Sequence, residues 1–133
     1  DQDFSNGADT YKVALFKANA SISGTFGAAT TNYSQMTGAS DELPNGSGYT
    51  TGGYALTNVN PTSGGTVAFT SFAANAAWTS ATFTTRGCLI YNTSDSNSAV
   101  AVIDFGADYS VAGGTFEIQW PAADSSNAII RIN

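Results

Sequence analysis

WTSATFTTRGCLIYN, residues 78–92, decides how the rest of the chain is read. Two strand signals, ATFTT and CLIYN, flank Arg86-Gly87, and the only cysteine, Cys88, follows directly. Two readings compete: a reactive thiol beside a cationic activator, or a place where the strand bends. A catalytic cysteine normally needs a histidine base, and the chain contains no histidine. Arg86 would lower a thiol pKa by proximity. Gly87, however, is a typical bulge residue, and Cys88 alternates with Ile90 as a small buried hydrophobe. The segment therefore reads as strand and bend, and Cys88 as core.

Strand signals continue outward on both sides. In TYKVALFKA (10–18), Tyr11, Val13 and Leu15 share one face. GYALTNVN (53–60) and TVAFTSF (66–72) flank PTSGG, a Pro/Gly turn signal that predicts a hairpin. In SAVAVIDFG (98–106), Val100 and Val102 point one way and Ala99, Ala101, Ile103 and Phe105 the other, as in a strand covered on both faces. GGTFEIQW (113–120) alternates cleanly, with Phe116, Ile118 and Trp120 inward and Thr115, Glu117 and Gln119 outward, before Pro121 stops it. NAIIRIN closes the chain. Only AATTNYSQMT (28–37) predicts helix, one or two turns with Thr30 or Thr31 as N-cap. Residues 38–53 read as a long loop with Asn45-Gly46 and Gly52-Gly53 as turn points. Strands at roughly ten-residue spacing between glycine turns predict an all-β fold, an antiparallel β-sandwich or partly open barrel with at most one short helix. Residues 1–9 read as an N-terminal extension or arm and 10–133 as a single β domain. Trp78 and Trp120 read as buried packing residues whose indole N–H groups meet acceptors.

Composition limits what such a domain does. Leu, Ile, Val and Phe make up 25 of the 133 residues, a thin core that Ala and Gly must supplement. Four basic against ten acidic residues give a net charge of −6. Nucleic-acid binding needs a Lys/Arg surface that displaces phosphate counterions, and membrane-surface binding needs a polybasic segment. Neither is present, so the expectation is no nucleic acid and no membrane. A single cysteine cannot form an internal disulfide. With three prolines and two lysines in the whole chain, sheet edges have few of the usual guards against pairing.

The candidates for chemistry are few. Asp104 and Asp108, and Asp41 and Glu42, are the local carboxylate pairs, and both read as solvated loop groups. A glycosidase-type hydrolase would need a cleft joining distant carboxylates such as Asp104 and Glu117. NTSDSNSA (92–99) imitates a calcium loop, but Asp95, Asn97 and Ser98 fit an ordinary hairpin loop better. GSGYTTGG lacks the lysine and following helix of a phosphate loop. Tyr33, Tyr49, Tyr54, Tyr91 and Tyr109, in or beside loops, suit either sugar stacking or protein contact. The expectation is no catalytic residue, no cofactor and no metal site.

YKVALFKA (11–18), GSGYTTGGYAL (46–56), WTSATFTTRGCLIYN (78–92), AVAVIDFG (99–106), GGTFEIQWP (113–121) and AIIRI (128–132) together resemble small β-rich virion proteins of tailed bacteriophages, similar to capsid cement or decoration proteins. The resemblance spans Tyr11 to Ile132 and carries no catalytic motif. It implies a non-enzymatic virion subunit on the outer surface of the capsid, assembled in the host cytoplasm. It also implies a homo-oligomer, with a trimer favoured, that binds the major capsid protein or another virion protein. The alternative is a tail or fibre component with an adhesive or carbohydrate-binding role. Residues 1–9 and the loop 38–53 are the pieces expected to reach a neighbour.

Overall fold

The computed structural model describes residues 2–18, 20 and 27–132; Asp1 of the N-terminal stretch and Asn133 of the closing strand lie outside them. Strands β1 (Tyr11–Lys17), β2 (Tyr54–Ala55), β5 (Ala76–Asn92) and β6 (Ser98–Ile118) form one antiparallel sheet in the order β2-β1-β5-β6. Strands β3 (Thr62–Gly64), β4 (Val67–Thr70) and β7 (Ile130–Ile132) form a second, in the order β3-β4-β7. The two antiparallel sheets do not close on each other, so the fold is an all-β sandwich and not a barrel.

The alternation in β1 is buried on both faces. Tyr11, Val13 and Leu15 enter a core with Leu43, Tyr49, Phe72, Trp78, Cys88 and Ile90. Ala14 and Phe16 enter a smaller one, with Leu89 and Tyr91, beneath Met36 of α1 (Tyr33–Gly38), the single helix among the described residues. Phe16 is fully buried, which stabilises the fold by about 2–3 kcal/mol. The N-cap of α1 is Asn32, not Thr30 or Thr31. Its side chain accepts from Ser34 N–H, while Gln35 reaches back to the Asn32 N–H, completing a capping box.

Several expected short strands are continuous. ATFTT and CLIYN both belong to the 17-residue β5, and SAVAVIDFG and GGTFEI to the 21-residue β6. Bulges absorb the interruptions without ending the ladder. The register shifts at Arg86, where Thr85 pairs with Tyr109 and Gly87 with Asp104, so Phe105–Asp108 bow outward opposite one residue. Gly106 (φ 80°) and Gly113 (φ 66°) supply the left-handed backbone that two of the irregularities in β6 require. Another shift, between the pairs Ile90–Ala101 and Tyr91–Ala99, leaves Val100 unpaired. Parity is reset there: Val100 packs with Ala101, Ile103 and Phe105, and Ala99 with Val102, the reverse of the sequence-based assignment for Ala99 and Val100.

The expected PTSGG hairpin also shifts. Thr62–Gly64 of that motif is strand, and Gly65-Thr66 makes the turn into β4. GYALTNVN is mostly not strand. It contributes the two residues of β2, which pair with β1, and an isolated bridge from Asn58 to Phe72. Phe116 and Ile118 pack on the core with Thr115 and Glu117 outward, as the alternation predicts. Trp78 is buried, but Trp120 is only half-buried, and its indole nitrogen is enclosed without an acceptor among the described residues.

The two pieces expected to reach a neighbour are tied to their own domain. Phe4 stacks on Tyr11 with ring centroids 4.6 Å apart, and Asn6 N–H donates to Asn60 Oδ1. Within the loop, Leu43 and Tyr49 are core residues.

Candidate functional site

Arg86 and Cys88 do not act together. Cys88 is fully enclosed, and burial alone pushes its thiol up to about 12. An activated thiol would be shifted the other way. Gly87 between them is needed for close approach: a Cβ there would lie 2.4 Å from the Ile103 carbonyl oxygen. Arg86, on the bulge, turns outward and meets Asp104 at 3.3 Å and Asp108 at 3.9 Å. That carboxylate pair is thus a surface ion cluster around one guanidinium, with Asp104 also accepting the Gly106 N–H.

Asp41 and Glu42 are not freely solvated, contrary to the sequence reading. Asp41 is buried, and its Oδ2 has no hydrogen-bond partner among the described residues. Glu42 is half-buried and accepts three hydrogen bonds: from the Tyr33 hydroxyl at 2.5 Å, the Tyr49 hydroxyl at 2.7 Å and the Gly52 N–H at 2.7 Å. Tyr91 donates to the Gly52 carbonyl at 2.8 Å, and the Tyr49 oxygen accepts from Leu15 N–H. Desolvation raises the pKa of Tyr33, Tyr49 and Tyr91, with the Glu42 charge adding to it. The carboxylate clamps the loop onto β1, β5 and α1. Gly53 completes the seam, since a Cβ there would fall 1.9 Å from the Val13 oxygen.

This clamp uses up most of the candidate aromatic surface. Tyr49 and Tyr91 are buried, and Tyr33 stacks on Tyr91 at 4.4 Å with nearly parallel rings. Tyr54 packs edge-on against Trp78. Of the five, only Tyr109 presents its ring broadly, at 51% exposure. No row of aromatic platforms for sugar stacking results from this set.

Asp104 and Glu117 do not converge. They lie opposite Gly87 and Ala77, ten residues apart on β5, or about 30 Å of extended chain. Paired glycosidase carboxylates stand within about 10 Å. Glu117 accepts instead from the side-chain amides of Asn75 and Gln119. In the β5–β6 turn, Asp95 is a loop residue: its carbonyl and carboxylate both accept from the Ser98 hydroxyl, and its carbonyl also accepts the Ser98 N–H. Asn97 there takes a left-handed conformation (φ 63°). Among the described residues no group of three or more His, Cys, Asp or Glu side chains is placed to hold a metal ion. Among the described residues no helix is long and apolar enough to cross a membrane.

The feature that the sequence reading missed is the outer side of β6. This strand ends the larger sheet, and β5 is its only strand partner among the described residues. Its first residues are covered, because Ala99 N–H donates to the Thr31 carbonyl and Tyr33 N–H to that of Asn97. Further along, Phe105, Tyr109, Phe116 and Ile118 line an open groove of about 290 Å³ with Glu117 on its rim. Phe105 is the hinge of this group, 6.1 Å from Tyr109 and 6.3 Å from Phe116 between ring centroids. The sequence signal was available: residues 98–118 contain three acidic residues and no lysine, arginine or proline, which leaves a long edge without lysine or proline guards. No protein-family model matches the chain, and no curated protein or solved structure matches it significantly.

Proposed function

We propose that the protein is a non-enzymatic structural subunit of a tailed-phage virion, a capsid cement or decoration protein that binds the outer face of the shell. The virion assignment rests on the sequence resemblance, and the outer position on the net charge of −6, which is unsuited to a surface facing packaged DNA. The observation that carries the binding role is the outer edge of β6 beyond its covered first residues, which no strand among the described residues pairs with, beside an apolar groove. Such an edge offers a row of backbone donors and acceptors to a partner, while Glu42, Asp104, Asp108 and Glu117 are engaged in fold-internal contacts. Each bound copy would bury interface and stabilise the assembled shell by mass action. The proposed form is a homo-oligomer, with a trimer at local threefold positions suggested by the cement-protein resemblance alone.

Shells prepared without the protein provide the test. Adding the purified chain should raise their rupture temperature in a saturable way. An unchanged rupture temperature at saturating protein would reject the cement role.

A further inference from the structure

We propose that the outer edge of β6 between Tyr109 and Ile118 docks an extended, basic segment of another protein, which adds as a fifth strand to the β2-β1-β5-β6 sheet. The inference rests on the binding part of the function proposed above and not on the virion assignment.

Three observations lead there. The backbone of Tyr109–Ala112 and Phe116–Ile118 forms two regular runs of ladder against β5, separated by register shifts at Gly113–Thr115, so along each run the other side carries N–H and C=O groups at strand spacing that no strand among the described residues takes up. The groove of Phe105, Tyr109, Phe116 and Ile118 lies beside this edge, placed to take the apolar side chains of an added strand. The half-exposed Tyr109 ring, edge-on to Phe105, borders the groove and offers its open side to such a side chain.

Charge selects the occupant. Strand β6 carries Asp104, Asp108 and Glu117 and no cation. Arg86 serves Asp104 and Asp108, whereas Glu117 meets only the neutral amides of Asn75 and Gln119 among the described residues. A second copy of this chain would bring an identical acidic edge, with a net charge of −6 on each partner. Like charges facing each other across a strand pair are destabilising, and opposite charges are stabilising. A strand with lysine or arginine alternating with apolar residues satisfies both the groove and Glu117.

The test uses the full chain and two capped nine-residue peptides, one alternating valine with lysine and one alternating valine with glutamate. Amide hydrogen exchange is read by NMR at low salt, where charge is least screened. The valine–lysine peptide should slow exchange across Tyr109–Ile118 and leave β1 and β4 unaffected. The valine–glutamate peptide should bind at least tenfold more weakly. Glu117→Lys, an exposed substitution, should weaken the valine–lysine peptide about tenfold while leaving the circular dichroism spectrum unchanged. Protection by neither peptide, or equal protection by both, would overturn the proposal. So would protection of the same amides that appears without peptide and grows with protein concentration, because a second copy would then own the edge. None of these outcomes bears on the shell-rupture assay, so the two proposals fail separately.

Discussion

Removing the Glu42 carboxylate should cost the fold more than any other single surface-side substitution. In Glu42→Ala, three donors lose their acceptor together: the hydroxyls of Tyr33 and Tyr49 and the Gly52 N–H. A hydrogen bond to a charged group contributes about 1.5–3 kcal/mol by deletion, which would sum to about 4.5–9 kcal/mol if all three were fully enclosed. They are not. Glu42 and Tyr33 are half-buried, so water can replace part of what they lose. Tyr49 is almost wholly buried, and there the loss is close to complete. The expected destabilisation is therefore about 3 kcal/mol, equivalent to a fall in Tm of about 10 °C for a chain of this size. Tyr33→Phe, which removes one partly exposed donor, should cost about 1 kcal/mol. Urea unfolding followed by tryptophan fluorescence suits the measurement, because Trp78 lies 6.2 Å from the Tyr49 ring. Should Glu42→Ala unfold within about 0.5 kcal/mol of the parent, the ordinary range for an exposed site, the clamp would be an incidental contact and this reasoning wrong.

Cys88→Ala should lower stability by about 1 kcal/mol through the small cavity it leaves, and the native thiol should resist iodoacetamide at neutral pH; alkylation faster than global unfolding would contradict its burial. Stability should also fall steeply at alkaline pH. Tyr11 and Tyr91 are pushed up to about 12, as is Cys88, and Tyr49 is raised as well, in each case chiefly by desolvation. The unfolded chain releases these protons near pH 9–10 while the folded one keeps them, so the folded state binds more protons and unfolding becomes easier as pH rises. The stabilisation is complete below about pH 9 and is lost between about pH 9 and 12, at about 1.4 kcal/mol per pH unit for each such group. A flat stability profile from pH 8 to 11 in urea titrations would rule this out.

The legible part of the fold was the part governed by period-2 alternation. Tyr11, Val13 and Leu15 in β1, and Phe116 and Ile118 in β6, pack where their spacing places them. Cys88 was readable for the same reason, as its alternation with Ile90 predicts a buried residue. The bend read at Gly87 coincides with a register shift of β5, but the bulges of β6 were not legible, because they break the period without ending the ladder. A single unpaired residue at Val100 reverses the faces on either side of it, and a four-residue bow opposite Arg86 hides one long strand inside two apparent short ones. The helix cap was misassigned by one or two positions because Thr30, Thr31 and Asn32 are all competent caps, and only Asn32 stands three residues before a glutamine that can answer it. The Glu42 clamp was invisible for a different reason. Its donors come from 9, 7 and 10 residues away, through a loop whose path is fixed by glycines packed against β1 and β5. The outer edge of β6 depends on sheet order, which alternation alone does not determine.

The most direct test of the account is a cryo-electron microscopy map of the intact particle at a resolution that separates strands. The account predicts this fold on the outer surface of the shell, with an extended segment of a neighbouring protein lying along β6 from Tyr109 to Ile118 and a basic side chain facing Glu117. Density for the chain in the tail or inside the shell, or a shell-bound copy whose β6 edge faces open solvent, would contradict it.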